Sequence, residues 1–364
     1  MIYRACLLVL VLLLPVLHSC NSADKPTTTD CNKSEANQYA TGFSIQFCEQ
    51  DTVLFLFNPN NISDTIFSLR INTQNSMSRL ACLSTTHLPF LETLNSTEKA
   101  VGVGFAEYLF DEKSKARIES GDLVNLTAAG KLDFETVVSL APEALLVYYY
   151  GNEDFSRYQQ AGIKVIPINE YAESHPLGRV EWIKVFGLLT GNYDNAVTEF
   201  NKIDSIYKTL ANSIPDMTKK PVVFTGSFYK GKWAAPGGDS FIAKFISDAG
   251  ALYAFADYPG NDNINLDFET VLTMIAGADF FGKVIYRESG VFRNDFLEEQ
   301  SRFELLKAFD DSRLFYCNTA TTDYFGQGIM EPHLMLQDLI GIFHPEIASP
   351  YKAVYFHPLK PGLE

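Results

Sequence analysis

The chain has 364 residues, 46% of them hydrophobic, which is enough length and apolar content for two lobes of ordinary domain size. A formal net charge of -15 with no basic stripe argues against a nucleic-acid partner, because phosphate binding needs a clustered basic surface. The six cysteines, Cys6, Cys20, Cys31, Cys48, Cys82 and Cys317, show no CxxC spacing, which argues against a zinc cluster.

After Met1-Ile2-Tyr3-Arg4, the segment from Ala5 to Leu17 is apolar apart from Pro15 and runs into His18-Ser19-Cys20. It is shorter than the ~20 residues of a spanning helix and reads as a signal peptide over residues 1-19. Leu17-His18-Ser19-Cys20 resembles a lipobox, so Cys20 is the expected lipidation site; the alternative is an ordinary secretory signal with an incidental cysteine. Residues 20-41 have almost nothing to bury and are expected to be a solvated tether. One disulfide is open to this chain, with Cys31 and Cys48 the nearest pair; unpaired buried thiols are the alternative.

From Gly42 to Ile71, Phe43, Ile45 and Phe47 alternate, and the turn cluster Asn58-Pro59-Asn60-Asn61 separates two apolar runs, which predicts β hairpins. Strands then alternate with helices. Strands are expected at Leu80 to Ser84, Ala100 to Val103, Leu145 to Tyr149 and Lys164 to Ile168, with helices at His87 to Leu94, Phe134 to Leu140 and Phe155 to Ala161. That pattern implies a parallel sheet covered on both faces. Apolar residues at helical spacing from Arg179 to Leu189 and from Ala196 to Leu210 predict a helical connection. The second half repeats the logic, with strands at Val222 to Thr225, Phe281 to Tyr286 and Leu314 to Asn318 and helices at Ser240 to Ala249, Phe268 to Ile275, Phe303 to Phe309 and Leu334 to Phe343.

An internal repeat supports the division: Leu132-Asp133-Phe134-Glu135-Thr136-Val137 recurs as Leu266-Asp267-Phe268-Glu269-Thr270-Val271. Asp133 and Asp267 are natural N-caps, which leaves Glu135 and Glu269 free to project. The expected boundaries are an N-terminal lobe at 42-175, a linking helical segment at 176-214 and a C-terminal lobe at 215-364.

The order Ser84-Thr85-Thr86-His87, Phe134-Glu135-Thr136-Val137, Ala161-Gly162-Ile163-Lys164-Val165-Ile166, Pro236-Gly237-Gly238-Asp239-Ser240-Phe241 and the second Phe268-Glu269 copy resembles the iron-siderophore/cobalamin class of periplasmic binding proteins. The likeness runs from about Arg79 to Pro345. It implies an α/β fold with two Rossmann-like lobes, parallel sheets, one long joining helix and a ligand cleft between the lobes, with the N-terminal hairpins as an addition. It also implies a lipid-anchored monomer on the extracytoplasmic, periplasmic face of a membrane, which delivers an iron-siderophore or cobalamin-type chelate to ABC transporter permease subunits. Glu135 and Glu269 would dock on that permease. A haem-binding protein of the same fold and a chelatase-like enzyme on a related scaffold are the alternatives. No resident cofactor is expected, although the ligand may itself carry iron or cobalt.

Ligands of open α/β sheets sit beyond the carboxyl ends of the strands. The expected cleft residues are therefore Thr86, His87, Tyr108, Tyr148, Tyr149, Tyr150, Tyr229, Trp233, Arg287, Tyr324 and Phe325. Phe105 and the lysines Lys131, Lys230 and Lys232 are nearby alternatives. Because alternate strand positions point to opposite faces, Tyr148, Tyr149 and Tyr150 cannot all face a core. Broad aromatic walls suit a large, flat, partly apolar ligand, and Arg287 is placed to meet an anionic group. The histidines are scattered and form no bare-metal site; His87 is the one candidate for an axial haem contact. No nucleophile elbow, phosphate loop or dinucleotide fingerprint announces catalysis.

Overall fold

The computed structural model describes residues 31-360 apart from 50, 73-75, 152, 216, 298-300 and 348-350. The signal segment and Cys20 lie outside the described residues. Among those residues, no helix is long and apolar enough to cross a membrane.

Cys31–Glu35, Phe43–Cys48, Thr52–Asn58 and Asn61–Ile71 form an antiparallel sheet in chain order. Phe43, Ile45, Leu54 and Leu56 bury the face turned to the linking helices, as the period of two requires. Cys48 is disulfide-bonded, and the strand register sets Cys31 opposite it. Cys82 and Cys317 are free and buried.

Residues 37-41, expected as the end of a solvated tether, are instead tied down together with Gly42. Glu181 accepts hydrogen bonds from the backbone N–H of Gln38 (2.9 Å), Tyr39 (2.8 Å) and Ala40 (2.8 Å). Glu173 takes those of Thr41 (2.9 Å) and Gly42 (2.9 Å). A segment poor in apolar residues is thus ordered by two buried carboxylates supplied from more than 130 positions away. Both carboxylates belong to the hinge region where the first lobe meets the linking helices.

In the first lobe the parallel sheet runs in the order Lys164–Pro167, Ala144–Val147, Leu80–Cys82, Ala100–Val103, Val124–Asn125. The residues of Leu80–Cys82 and Ala144–Val147 are buried throughout, which is why these strands read as unbroken apolar runs. In the second lobe the order is Leu252–Tyr253, Val222–Thr225, Phe280–Ile285, Leu314–Asn318, His357–Pro358, parallel except for the last pairing. An antiparallel hairpin, Ser227–Tyr229 with Lys232–Pro236, pairs with Asn263–Leu266 beside it.

The connection is three helices: Pro176–Glu181, Ile183–Thr190 and the 19-residue Tyr193–Ala211. Gly191, in the left-handed conformation at φ 73°, ends the second of them. Gly187 lets the last two approach, because a Cβ there would fall 2.5 Å from that of Ala196.

The two repeat copies occupy matching places, as helices Phe134–Ser139 and Phe268–Ile275 leading into the strands Ala144–Val147 and Phe280–Ile285. Asp133 caps its helix through the Thr136 N–H at 3.2 Å. Asp267 makes no such bond and faces Lys232 at 3.7 Å, so the expected capping holds for one copy and not the other. Phe303 to Phe309 forms two 3-10 turns, Ser301–Leu305 and Lys307–Phe309, in place of the expected helix. Phe303 and Phe309 are both buried, and six α-helical steps would turn one about 120° away from the other.

Candidate ligand site between the lobes

The loops that follow the sheet strands converge on a cleft. Thr86 lies in the turn after Leu80–Cys82, Tyr148 and Tyr150 follow Ala144–Val147, and Glu170 and Tyr171 follow Lys164–Pro167. Across from them stand Tyr324 and Phe325, beyond Leu314–Asn318, and Phe241 and Phe245 on one face of the helix Phe241–Asp248. Together with Arg179 of the hinge helix they enclose a compartment of about 350 Å³.

Tyr148, Tyr150 and Tyr171 form a mutually touching wall, with ring centroids 6.1, 5.2 and 5.1 Å apart in the three pairings. Tyr149, expected at the cleft, does not line this compartment. Its backbone instead positions the wall, its N–H donating to Asn169 Oδ1 at 3.1 Å and its carbonyl accepting the Tyr171 hydroxyl at 3.1 Å. The Tyr148 hydroxyl bonds Ser84 Oγ at 2.7 Å, which fixes that ring. Burial raises the Tyr148 and Tyr150 phenols above their ordinary range, so both stay neutral.

Arg179 is the cation of this compartment. Its guanidinium lies 3.5 Å from the centroid of the Phe241 ring and donates to the Tyr171 carbonyl at 2.6 Å. Its Nε is buried with no hydrogen-bond partner among the described residues. A buried donor left unpaired is costly, so this N–H is a ready contact for an incoming acceptor.

Two further compartments adjoin the first. One of about 1210 Å³ is bordered by Tyr108, Phe110 and Tyr286, and one of about 570 Å³ lies over the second sheet by Ser227, Lys283 and Arg287. Tyr324 and Phe325 border all three. Phe325 is 62% exposed and Tyr324 only 6%, so the pair forms a ridge with an open crest and a packed base.

A family model described as periplasmic binding protein matches residues 80–320. The chain belongs to that family. An uncharacterized lipoprotein of Methanocaldococcus jannaschii is 24% identical over 300 residues, covering 79% of this chain and 70% of the relative. The fold is similar to a periplasmic heme binding protein from Pseudomonas aeruginosa, with TM-score 0.60, 16% identity and coverage of 78% of this chain and 98% of that one. It is also similar to the TroA-like periplasmic binding protein FepB from Veillonella parvula, with TM-score 0.58, 14% identity and coverage of 80% and 97%. The two-lobed α/β architecture expected from the sequence is therefore the fold of this periplasmic binding protein. The antiparallel sheet over residues 31-71 lies outside the matched span.

Of the residues expected at the cleft, Thr86, Tyr148, Tyr150, Tyr324 and Phe325 line its inner compartment, and Tyr108 and Arg287 line the neighbouring ones. Arg287 is held by Asp295 at 2.7 Å, so it brings an already paired charge. Besides Tyr149, three others lie elsewhere. Tyr229 is exposed at the tip of the antiparallel hairpin, with Lys230 Nζ 4.9 Å from its ring. His87 is fully buried beneath Tyr148, and burial pushes its pKa down to about 3.

Trp233 is a correction to the sequence reading. It is 0% exposed and packs among Phe224, Phe281 and Phe303, with Nε1 donating to the Thr225 carbonyl at 3.3 Å. It sits inside a strand that pairs on both sides, not in a loop beyond one. Trp233→Ala should therefore cost about 3–5 kcal/mol of stability by urea unfolding. Loss of ligand affinity without loss of stability would return Trp233 to the site.

Glu170, Tyr171, Arg179, Phe241 and Phe245 were missed. The first two follow a strand that the apolar pattern marks, so the carboxyl-end rule, applied to that strand as to the others, reaches them. Arg179 has no such signal, because a lone basic residue at a helix start usually faces water.

Proposed function

We propose that this chain is a lipid-anchored, extracytoplasmic solute-binding protein of an ABC importer, which captures an anionic, ring-rich iron chelate between its lobes and hands it to the permease. The observation that carries the reading is the unbonded Nε of Arg179 in a compartment walled by Tyr148, Tyr150, Tyr171 and Tyr324. Such a wall gives large apolar contact to flat rings, and the guanidinium adds a directional bond to a carboxylate, catecholate or hydroxamate oxygen. Support comes also from family membership, from the lipoprotein relative and from a fold neighbour described as heme binding. Binding without turnover is the role proposed.

Ferric siderophores, haem and cobalamin are all coloured, so absorbance titration of purified protein with one member of each class tests the proposal. A saturable spectral change with a ferric siderophore or haem, at submicromolar Kd, is expected. Binding of cobalamin alone would replace the ligand class, and binding of none would end the reading.

Glu135 and Glu269 are proposed as the permease contacts, one per lobe, on matching helices. Both are exposed, and Glu269 pairs with Arg302 at 2.8 Å. Two separated carboxylates would set orientation and encounter rate on a cationic partner. The Glu135→Ala, Glu269→Ala double variant should keep its ligand affinity and lose about tenfold or more in uptake rate. Normal uptake would leave both as helix-start charges.

A further inference from the structure

Glu170 is the buried acid of the inner compartment. Its Oε1 accepts from Thr86 Oγ1 at 2.8 Å and lies 3.4 Å from the Tyr148 hydroxyl. Its Oε2 is buried and has no hydrogen-bond partner among the described residues. The same wall therefore carries two unused polar atoms, this oxygen and the Nε of Arg179.

Resting on the ligand class proposed above, we infer that Glu170 is a specificity residue that works as a neutral acid, donating its Oε2 hydrogen to an anionic oxygen of the bound chelate beside Arg179, so that ligand capture is coupled to protonation of Glu170.

The charge arrangement favours this form. An ionised Glu170 would match the Arg179 charge within the wall and leave an anionic ligand facing no net positive potential. A neutral Glu170 leaves the guanidinium for the ligand and adds a donor of its own. The groups facing Glu170 from each packed element do not supply another counter-charge. His87, on the turn with Thr86, is neutral because burial holds it near 3. Tyr148 and Tyr150, after the strand Ala144–Val147, and Tyr171, next in the chain, are phenols raised by burial, as is Tyr324 from the second lobe. Glu173 is occupied by the Thr41 and Gly42 amides, and Glu153 by the Tyr150 N–H. Burial raises Glu170 itself to about 7, with Arg179 and the Thr86 bond opposing the rise.

An anion bound beside Glu170 raises its pKa further, so binding takes up a proton wherever the free protein has lost it. Affinity should be level below about pH 7 and fall as pH rises above it, approaching tenfold per pH unit. The test titrates wild type, Glu170→Gln and Glu170→Ala with a ferric catecholate siderophore and with haem between pH 6 and 9. Calorimetry in two buffers of different ionisation enthalpy counts protons, and thermal melts check folding. Wild type should show the fall and the uptake. Glu170→Gln, which keeps a neutral donor, should lose both relative to wild type, and Glu170→Ala should also bind about tenfold more weakly at pH 6. Equal pH slopes and proton counts in wild type and Glu170→Gln, or proton release by wild type, would overturn the inference while leaving the cleft assignment standing. Failure of wild type to bind either probe at pH 6 would instead remove the ligand class on which it rests.

Discussion

Arg179→Ala is expected to weaken chelate binding by about 2–3 kcal/mol, roughly 30- to 150-fold in Kd. The guanidinium lies over the Phe241 ring, is held at one end by the Tyr171 carbonyl and keeps its buried Nε unbonded. Removing it takes away a charge-assisted contact from a desolvated wall, where such contacts are worth most. Arg179→Lys should recover only part of the loss, because an ammonium keeps the charge but neither stacks on Phe241 nor offers the planar fork. Absorbance titration, with urea unfolding as the control for stability, measures both variants. A Kd within threefold of wild type for Arg179→Ala would show that the ligand does not use this side of the cleft.

Glu181→Ala should cost about 3–5 kcal/mol of stability by urea unfolding. Its carboxylate is fully buried, bonds Lys184 Nζ at 3.0 Å and holds the backbone amides of Gln38, Tyr39 and Ala40. The substitution strips the Lys184 ammonium of this carboxylate and leaves three amides without their acceptor. Residues 37-42 join the strand Cys31–Glu35 to the strand Phe43–Cys48 of the packed sheet, and Tyr39 also donates to Asp204 of the long linking helix at 2.6 Å. Loosening at Glu181 should therefore appear as rapid amide exchange at 38-40. A stability within 1 kcal/mol of wild type would mean that these bonds only replace equivalent ones to water.

The parallel strands were legible because burial on both faces makes them short, unbroken apolar runs. Ala100–Val103, Val222–Thr225 and Leu314–Asn318 fall where the pattern sets them. The two lobes were legible through the repeat, which encodes the same strand–helix–strand passage twice. Tyr148 and Tyr150 were legible as cleft residues from their place beyond a strand, whereas Tyr149, expected beside them, lines none of the three compartments. Other features depend on contacts remote in sequence. Gln38 to Gly42 look solvated until Glu173 and Glu181 arrive from the hinge. Arg179 reads as a surface cation until Phe241, 62 positions on, supplies the ring that it covers. Trp233 carried the aromatic signature of a binding loop, and only its complete burial among Phe224, Phe281 and Phe303 shows that the ring faces the core.

The assignment of the inner compartment is tested most directly by locating the metal. Crystals of the complex with a ferric siderophore or haem, with anomalous data collected at the iron edge, give its position without reference to the surrounding density. The iron should lie between the Tyr148, Tyr150 and Tyr171 wall and the Tyr324–Phe325 ridge, with an anionic ligand oxygen within hydrogen-bond distance of Arg179 Nε. An iron peak in the larger compartment beside Tyr108 and Phe110, with that Nε still unbonded, would contradict the assignment.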